Sequence, residues 1–200
     1  MTWRALFVLA SIGFGALMGC SEQPTTDSTA QAAPDSTLRA TVQREIEALD
    51  AMRSGLARTI DDEAVDQGTF ARVCKPVGQR AKTLSDSTGW MVRQIAEKYR
   101  NPANQLDSTG AEVYRRFADD PSRMRLWTRT TMDGTPGWRY YRRIIVEPSC
   151  LACHGAQADR PAFVKQNYPD DRAYGFSAGD LRGLYAVFVP DSLAFQHSSL

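Results

Sequence analysis

The stretch Cys150-Leu151-Ala152-Cys153-His154 is the feature around which this chain is organised. It has the form C-x-x-C-H, the sequence to which a c-type haem is attached. In such a motif each cysteine sulfur adds across one vinyl group of the porphyrin, and the adjacent histidine supplies an axial nitrogen to the iron. The motif therefore predicts one covalently bound haem c, with Cys150 and Cys153 as attachment sites and His154 as an axial ligand.

Two other interpretations of these residues stay open at this point. A redox-active C-x-x-C pair belongs to a thioredoxin-type βαβ context, of which the sequence shows no sign. A structural zinc site needs four ligands, and the chain has enough of them: Cys74, Cys150, Cys153 and either His154 or His197. The complete pentapeptide, together with the export signal described below, favours haem over both.

Length, composition and charge limit the class of protein. The chain has 200 residues, enough for one domain with additional tails. A hydrophobic fraction of 42% supports a core, and a charged fraction of 24% is typical of soluble proteins. A net charge of +1 gives no electrostatic reason to bind nucleic acid or an anionic membrane surface. We therefore expect no nucleic-acid partner, and contact with a membrane only through the N-terminus.

The first 19 residues resemble an export signal. Arg4 precedes an apolar run over residues 5–18 that is too short to span a membrane comfortably. Leu17-Met18-Gly19-Cys20 then resembles a bacterial lipobox, in which the cysteine is lipidated and becomes the new N-terminus. Ser21 follows, which by resemblance to Gram-negative lipoproteins favours the outer membrane. We expect a lipid-anchored protein on the periplasmic side; an ordinary cleaved signal or an uncleaved anchor is the alternative.

Residues 20–36 are rich in Ser, Thr, Gln and Ala and contain no large hydrophobic residue, which predicts a disordered tether. Residues 37–190 are expected to form the domain, and residues 191–200 a peripheral C-terminal tail. Apolar residues recur every three, four or seven positions from Leu38 to Leu56, the pattern of an amphipathic helix.

The sequence of the rest of the domain predicts further helices followed by a sheet. Residues 63–84 form a second helical segment, in which Pro76 starts, ends or kinks a turn because proline cannot donate to a carbonyl. Asp86 to Gly89 is a break, and residues 90–100 suit either a helix or an edge strand. The later segments are a short helix over residues 109–118, strands over 125–131 and 138–146 with a turn at 132–135, a turn or two of helix over 161–167, and a last strand over 181–189. Helices followed by an antiparallel sheet indicate an α+β domain.

Cys74 is the one cysteine that these assignments leave without a partner. Its apolar-spaced neighbours Phe70, Val73 and Val77 suit a buried structural thiol. The alternative is that Cys74 is the second axial ligand of the iron, as a thiolate. His197 and the methionines Met91, Met124 and Met132 are the competitors for that position.

Several fragments, in this order, resemble a known family: Val73-Cys74-Lys75-Pro76, Gly89-Trp90, Arg100-Asn101-Pro102-Ala103-Asn104, Cys150 to Gly155, and the segment from Tyr174-Gly175-Phe176 to Gly179-Asp180-Leu181-Arg182-Gly183. The family is that of single c-type haem domains with a PAS-like fold, known as a domain of unknown function. It occurs as stand-alone haem proteins in cyanobacteria and as the extracytoplasmic part of sensor kinases. The likeness covers most of residues 37–190; residues 86–88 look like a small insertion.

The resemblance implies a PAS-like antiparallel sheet flanked by helices and favours the strand interpretation of residues 90–100. It also implies His and Cys as axial ligands. The family's ligand cysteine lies in the V-C-K segment, which by position is Cys74, opposite His154.

Two functions are compatible with a haem that has two axial ligands from the protein. The first is a redox or diatomic-gas sensor module that works through a separate signalling partner, since the chain carries no output domain. The second is a periplasmic electron-transfer cytochrome, with a redox partner. An enzyme such as a peroxidase is not expected, because it needs an open iron face and a polar acid–base group. Four arginines are candidates to pair with the haem propionates, and the alternative for each is a position on a solvated strand face: Arg139, Arg142, Arg143 and Arg182.

Overall fold

A computed structural model describes residues 34–60 and 65–194. The helices are α1 (Ser36–Ala57), α2 (Gln67–Val73), α3 (Lys75–Thr88), α4 (Ser108–Asp119), α5 (Leu151–His154), α6 (Ala162–Asn167) and α7 (Asp191–Ala194). The strands are β1 (Met91–Ile95), β2 (Arg125–Met132), β3 (Thr135–Ile145) and β4 (Leu181–Pro190), and short 3-10 turns span Pro102–Asn104 and Pro148–Cys150. The predicted signal peptide, Cys20, most of the predicted tether and His197 lie outside the described residues. Within the described ranges, no helix has the length and apolarity needed to cross a bilayer.

The four strands form one antiparallel sheet in the order β1-β4-β3-β2. β2 and β3 are a hairpin, with Met132 paired to Thr135 at its end. Asp133 and Gly134 in the turn have φ of 49° and 78°. Two positive φ values in a two-residue turn are the mark of the type I′ turn, whose twist matches that of the strands it joins. The hairpin predicted from the sequence is thus confirmed.

Helices cover both faces of the sheet. α1 and α3 bury Val42, Ile46 and Leu84 against one face, on which Tyr140 and Val187 lie. α4 buries Val113 and Phe117 against the other face, together with Tyr141, Leu184 and Ala186. Because successive side chains of a strand point to opposite faces, the neighbours Tyr140 and Tyr141 serve one core each. The predicted α+β class, an antiparallel sheet flanked by helices, is confirmed; the PAS-like description stays a prediction.

The ends of two helices differ from the sequence-based expectation. The Asp35 carboxylate caps α1 by accepting from the backbone N–H groups of Thr37 and Leu38 at 3.0 and 3.2 Å, so regular structure begins inside the segment predicted as tether. α3 continues through residues 86–88, which the sequence had indicated as a break. It ends at Gly89, whose φ of 72° is the left-handed conformation that glycine adopts without strain.

Residues 90–100 contain a strand, β1, which pairs with β4 from Met91 to Ile95. The strand interpretation is therefore correct over its first half. The predicted peripheral tail is also partly corrected, because α7 packs against the domain. Leu193 contacts the core, Ala194 is buried, and the Asp191 carboxylate accepts from Arg129 of β2.

We expect Gly137→Ala to destabilise the sheet by about 1–3 kcal/mol, the usual cost of overpacking. A Cβ atom at this position of β3 would lie 2.5 Å from the carbonyl oxygen of Val189 and 2.6 Å from the ring of Phe188. Urea denaturation measures the change in the free energy of unfolding. Gly55→Ala, in the last turn of α1 with no atom within 4 Å of the new Cβ, is the control and should not destabilise the protein. Equal stability of Gly137→Ala and the wild type would contradict the expectation.

Candidate haem site

The residues predicted to attach the haem and to ligate its iron meet at a cavity of about 560 Å³. Its walls come from the α2–α3 junction, the end of β1 and the residues that follow it, the start of β4, and the C-x-x-C-H segment. Cys74, Cys150, Cys153, His154 and Arg182 all line it. The volume lies within the range of roughly 300–1,000 Å³ that is common for cofactor and small-molecule sites. The structure thus places together residues that are far apart in the sequence.

Cys74 lies at the junction of two helices. It ends α2, where its N–H donates to the carbonyl of Phe70 at 2.9 Å, and it directly precedes α3. Pro76 forces this junction, because its ring has no N–H and would clash with the carbonyl four residues earlier if one helix continued. In the first turn of α3 the missing N–H costs nothing. The chain therefore bends at Cys74.

The side chain of Cys74 is exposed on the cavity side. The interpretation of Cys74 as a buried structural thiol is therefore wrong. Nearby protein atoms still desolvate the sulfur, and this desolvation, with the nearby Cys153, raises the pKa of the thiol to about 11. The free thiol is accordingly protonated at neutral pH. A metal ion that binds this sulfur would replace the proton, since the thiolate is the ligand form of cysteine.

The two cysteines of the C-x-x-C-H motif lie on one short helical segment. A 3-10 turn ending at Cys150 leads directly into α5, so the two sulfurs are three residues apart on a helical backbone and lie on the same face. Both thiols are free and half-buried. Arg53 of α1 contacts this segment, with Nη1 3.9 Å from the sulfur of Cys150 and Nη2 3.2 Å from Glu147.

The imidazole of His154 has one nitrogen fixed by a hydrogen bond. Nδ1 lies 2.6 Å from the carbonyl oxygen of Ala173, whereas the Nη2 of Arg100 is 3.5 Å from the same nitrogen. A carbonyl can only accept, so the shorter contact assigns the proton to Nδ1 and leaves the lone pair on Nε2. Burial, with Arg182 and Arg100 nearby, holds the pKa of His154 well below its ordinary value. A neutral imidazole with a free Nε2 is the form that binds iron.

One of the four arginines proposed to pair with propionates lines the cavity. Arg182 donates from Nη1 to the carbonyl of Lys98 at 2.8 Å, and burial beside Arg100 lowers its pKa to about 10. A guanidinium in this setting gains from an anionic group placed in the cavity.

The other three arginines, which are not among the described residues lining the cavity, are bound elsewhere. Arg139 pairs with Asp107 at 2.7 Å, and Arg142 with Asp50 at 2.6 Å. Arg143 donates to the carbonyls of Asp120 and Arg123 at 3.0 Å each.

The structure also bears on the alternative axial ligands and on the zinc and thioredoxin-like interpretations of the motif. Met91, Met124 and Met132 are absent from the cavity lining. In the part of the chain that the structure describes, no three side chains of His, Cys, Asp or Glu converge as a metal ion would require, so a zinc site finds no support there. The described strands are all antiparallel, so they include no βαβ unit to accompany a thioredoxin-like pair.

Two cavity residues were missed by sequence reasoning. Arg53 occupies a position of the apolar stripe that runs along α1 between Leu49 and Leu56. A charged residue in such a stripe is unusual and could have identified Arg53 as a candidate site residue. Arg100 stood in a fragment quoted for the family resemblance, but no role was assigned to it. Its contacts, with the Cys153 carbonyl at 3.0 Å and with Asp171, come from a distant segment that its own sequence neighbours do not indicate.

Comparison with known proteins gives two matches. The model of the Tll0287-like family matches residues 30–190. Among solved structures, the crystal structure of the cyanobacterial heme-protein Tll0287 is similar, with a TM-score of 0.71 and 42% sequence identity. The match covers 78% of this chain and 97% of that one. No curated protein sequence gives a significant match.

Proposed function

The chain belongs to the Tll0287-like family, and from this membership we propose that it binds haem in the cavity described above. The resemblance to a family of single-haem domains, inferred from the sequence, is thereby confirmed. In the proposal the haem is of the c type, attached through Cys150 and Cys153, with His154 and Cys74 as axial ligands. One observation carries it: a C-x-x-C-H segment and an isolated cysteine line the same cavity.

The residues present fit a haem in several respects. The two half-buried thiols of the motif are open to attachment, and Nε2 of His154 is unprotonated. The thiol of Cys74 faces the cavity, and Arg182 supplies a cation for a propionate. Bound there, haem supplies an iron that gains and loses one electron. An anionic sulfur ligand stabilises the ferric state and favours a low reduction potential.

We propose that this haem serves a redox or diatomic-gas sensor that acts through a partner protein, rather than an enzyme. The support is an asymmetry between the two ligands. His154 is fixed by the Ala173 carbonyl, whereas Cys74 lies at the bend between α2 and α3. A displacement of Cys74 shifts the ends of both helices, and α3 packs against α1 and β1. A change at one ligand therefore has a route to the rest of the domain.

Electron transfer is the second candidate, and a separate observation favours it. Cys150 and Cys153 are only half-buried, so the edge of a haem attached to them would lie near the protein surface. An exposed edge suits outer-sphere exchange with a redox partner.

We propose further that the protein is exported and held by a lipid on Cys20 at the periplasmic side of the outer membrane. The support is the sequence of the first 21 residues. Attachment of haem to a C-x-x-C-H motif outside the cytoplasm agrees with such a location.

Gas binding separates the two candidates. We expect carbon monoxide to bind the reduced holoprotein and to increase hydrogen exchange in peptides from α2 and α3, because Cys74 at their junction would give up its place as a ligand. Absorption spectra and hydrogen-exchange mass spectrometry measure the two effects. Peptides from β2, which does not line the cavity, are the internal control. A reduced protein that is unchanged by carbon monoxide and by nitric oxide would exclude gas sensing and favour electron transfer.

A further inference from the structure

A buried carboxylate lies behind the histidine of the motif. The side chain of Asp171 is 0% exposed and has a contact on each oxygen. Oδ1 accepts from the backbone N–H of Ala173 at 3.0 Å and lies 3.4 Å from Nε of Arg100. Oδ2 accepts from Nη1 of Arg160 at 3.0 Å. A buried carboxylate with this many partners fixes the groups around it, because each of them would lose its partner if it moved.

Asp171 is connected to His154 through Ala173. The carboxylate holds the N–H of Ala173, and the carbonyl of the same residue accepts from Nδ1 of His154 at 2.6 Å. Arg100 provides a second connection, since its Nη2 donates to the carbonyl of Cys153, the residue before the histidine. The imidazole is thus positioned by one carboxylate along two routes.

The backbone that follows Ala173 runs beside the motif. The N–H groups of Gly175 and Phe176 donate to the carbonyls of Gly155 and His154 at 2.6 and 3.1 Å. The segment 171–176 therefore forms one wall against which the histidine rests. Asp171 fixes the start of this wall, because it is the fully buried residue of the segment whose side chain is bound on both oxygens.

We propose that Asp171 is a positioning residue for His154. It holds the Ala173 carbonyl against Nδ1 and so keeps Nε2 unprotonated and directed to the cavity, while its charge balances Arg100 and Arg160. The inference rests on the proposed function, in which His154 binds the iron. Outer partners of this kind fix the orientation of a metal-binding histidine and increase its strength as a donor.

The iron–histidine stretching band of the reduced protein, seen by resonance Raman, is the direct test. Cys74→Ala provides the parent protein, because its ferrous iron keeps only the histidine as a protein ligand. Adding Asp171→Asn should shift the band to lower frequency, since a loosened Ala173 carbonyl weakens the hydrogen bond at Nδ1. Asp170→Asn removes the same charge from the exposed neighbouring residue and should leave the band in place.

The outcomes are distinguishable. A band at the parent frequency in the Asp171→Asn protein would overturn the inference and leave the proposed function intact. Absence of any iron–histidine band from the parent itself would overturn the proposed function, and the inference with it. If Asp171→Asn does not fold, Arg160→Gln removes one partner of the carboxylate and should give a smaller shift in the same direction. No shift in that variant would also overturn the inference.

Discussion

Replacing Cys150 and Cys153 together by alanine is expected to give a protein that carries no covalently bound haem. In the proposed attachment each thiol forms one of the two bonds to the porphyrin. No other described cysteine lies on the same helical face, because Cys74 belongs to the junction of α2 and α3. Mass spectrometry under denaturing conditions measures the result directly. The wild type, made with a cytochrome c maturation system, should retain the mass of one haem, and the double variant should have the mass of the bare polypeptide.

Two controls define this experiment. Cys74→Ala removes a thiol from the same cavity but should keep the haem mass, since an axial ligand does not form the covalent link. Each single variant of Cys150 or Cys153 leaves one attachment bond and should give a reduced yield of haem-bearing protein. Retention of haem under denaturing conditions by the double variant would contradict the assignment, and a wild type without haem would contradict the cofactor itself.

Replacing Cys74 by alanine is expected to change the optical and paramagnetic resonance spectra of the ferric protein and to raise its reduction potential. In the proposed ligation the anionic sulfur of Cys74 stabilises the ferric iron, so its removal should favour the reduced state. Cys74→Met should raise the potential as well, because a thioether is a neutral ligand of the kind found in cytochromes with higher potentials. Absorption spectra and a potentiometric titration of the purified holoprotein measure both changes.

Gln79→Ala is the matched control for this variant. Gln79 lines the same cavity from α3 but is not expected to bind the iron, and alanine is well tolerated in a helix. Its spectra and potential should equal those of the wild type. A Cys74→Ala protein with unaltered spectra would eliminate Cys74 as a ligand and leave the second axial position to another group.

The parts of the fold that depend on local pattern could be predicted from the sequence. The apolar period of α1, the Asp133-Gly134 turn and the C-x-x-C-H motif each need only their own neighbours to be recognised. The helical end at Thr88 was missed, because the three polar residues before Gly89 look like a loop although they still complete a helical turn.

The roles of the arginines could not be predicted, because their partners come from distant segments. Alternation along β3 places Arg139 and Arg143 on one face, which a sequence pattern alone would assign to solvent or to a ligand. In the structure α4 and its flanking residues cover that face and supply Asp107 and the carbonyl groups that bind them. Arg182 is likewise an arginine on a predicted strand, and the local pattern does not distinguish it from the other three, yet it lines the cavity.

Hydrogen bonds join the two ends of the segment between β3 and β4, which carries the C-x-x-C-H motif. The N–H of Val146 donates to the carbonyl of Asp180 at 3.0 Å, and the N–H of Gly179 donates back to the carbonyl of Val146 at 2.8 Å. Because these two bonds join the ends of the excursion between β3 and β4, the strand register is set independently of what lies inside it. Residues 147–178, which carry the C-x-x-C-H motif, therefore form one loop whose two ends are held together. If haem is attached at Cys150 and Cys153 as proposed, this loop can adjust around it without a change in the register of the sheet.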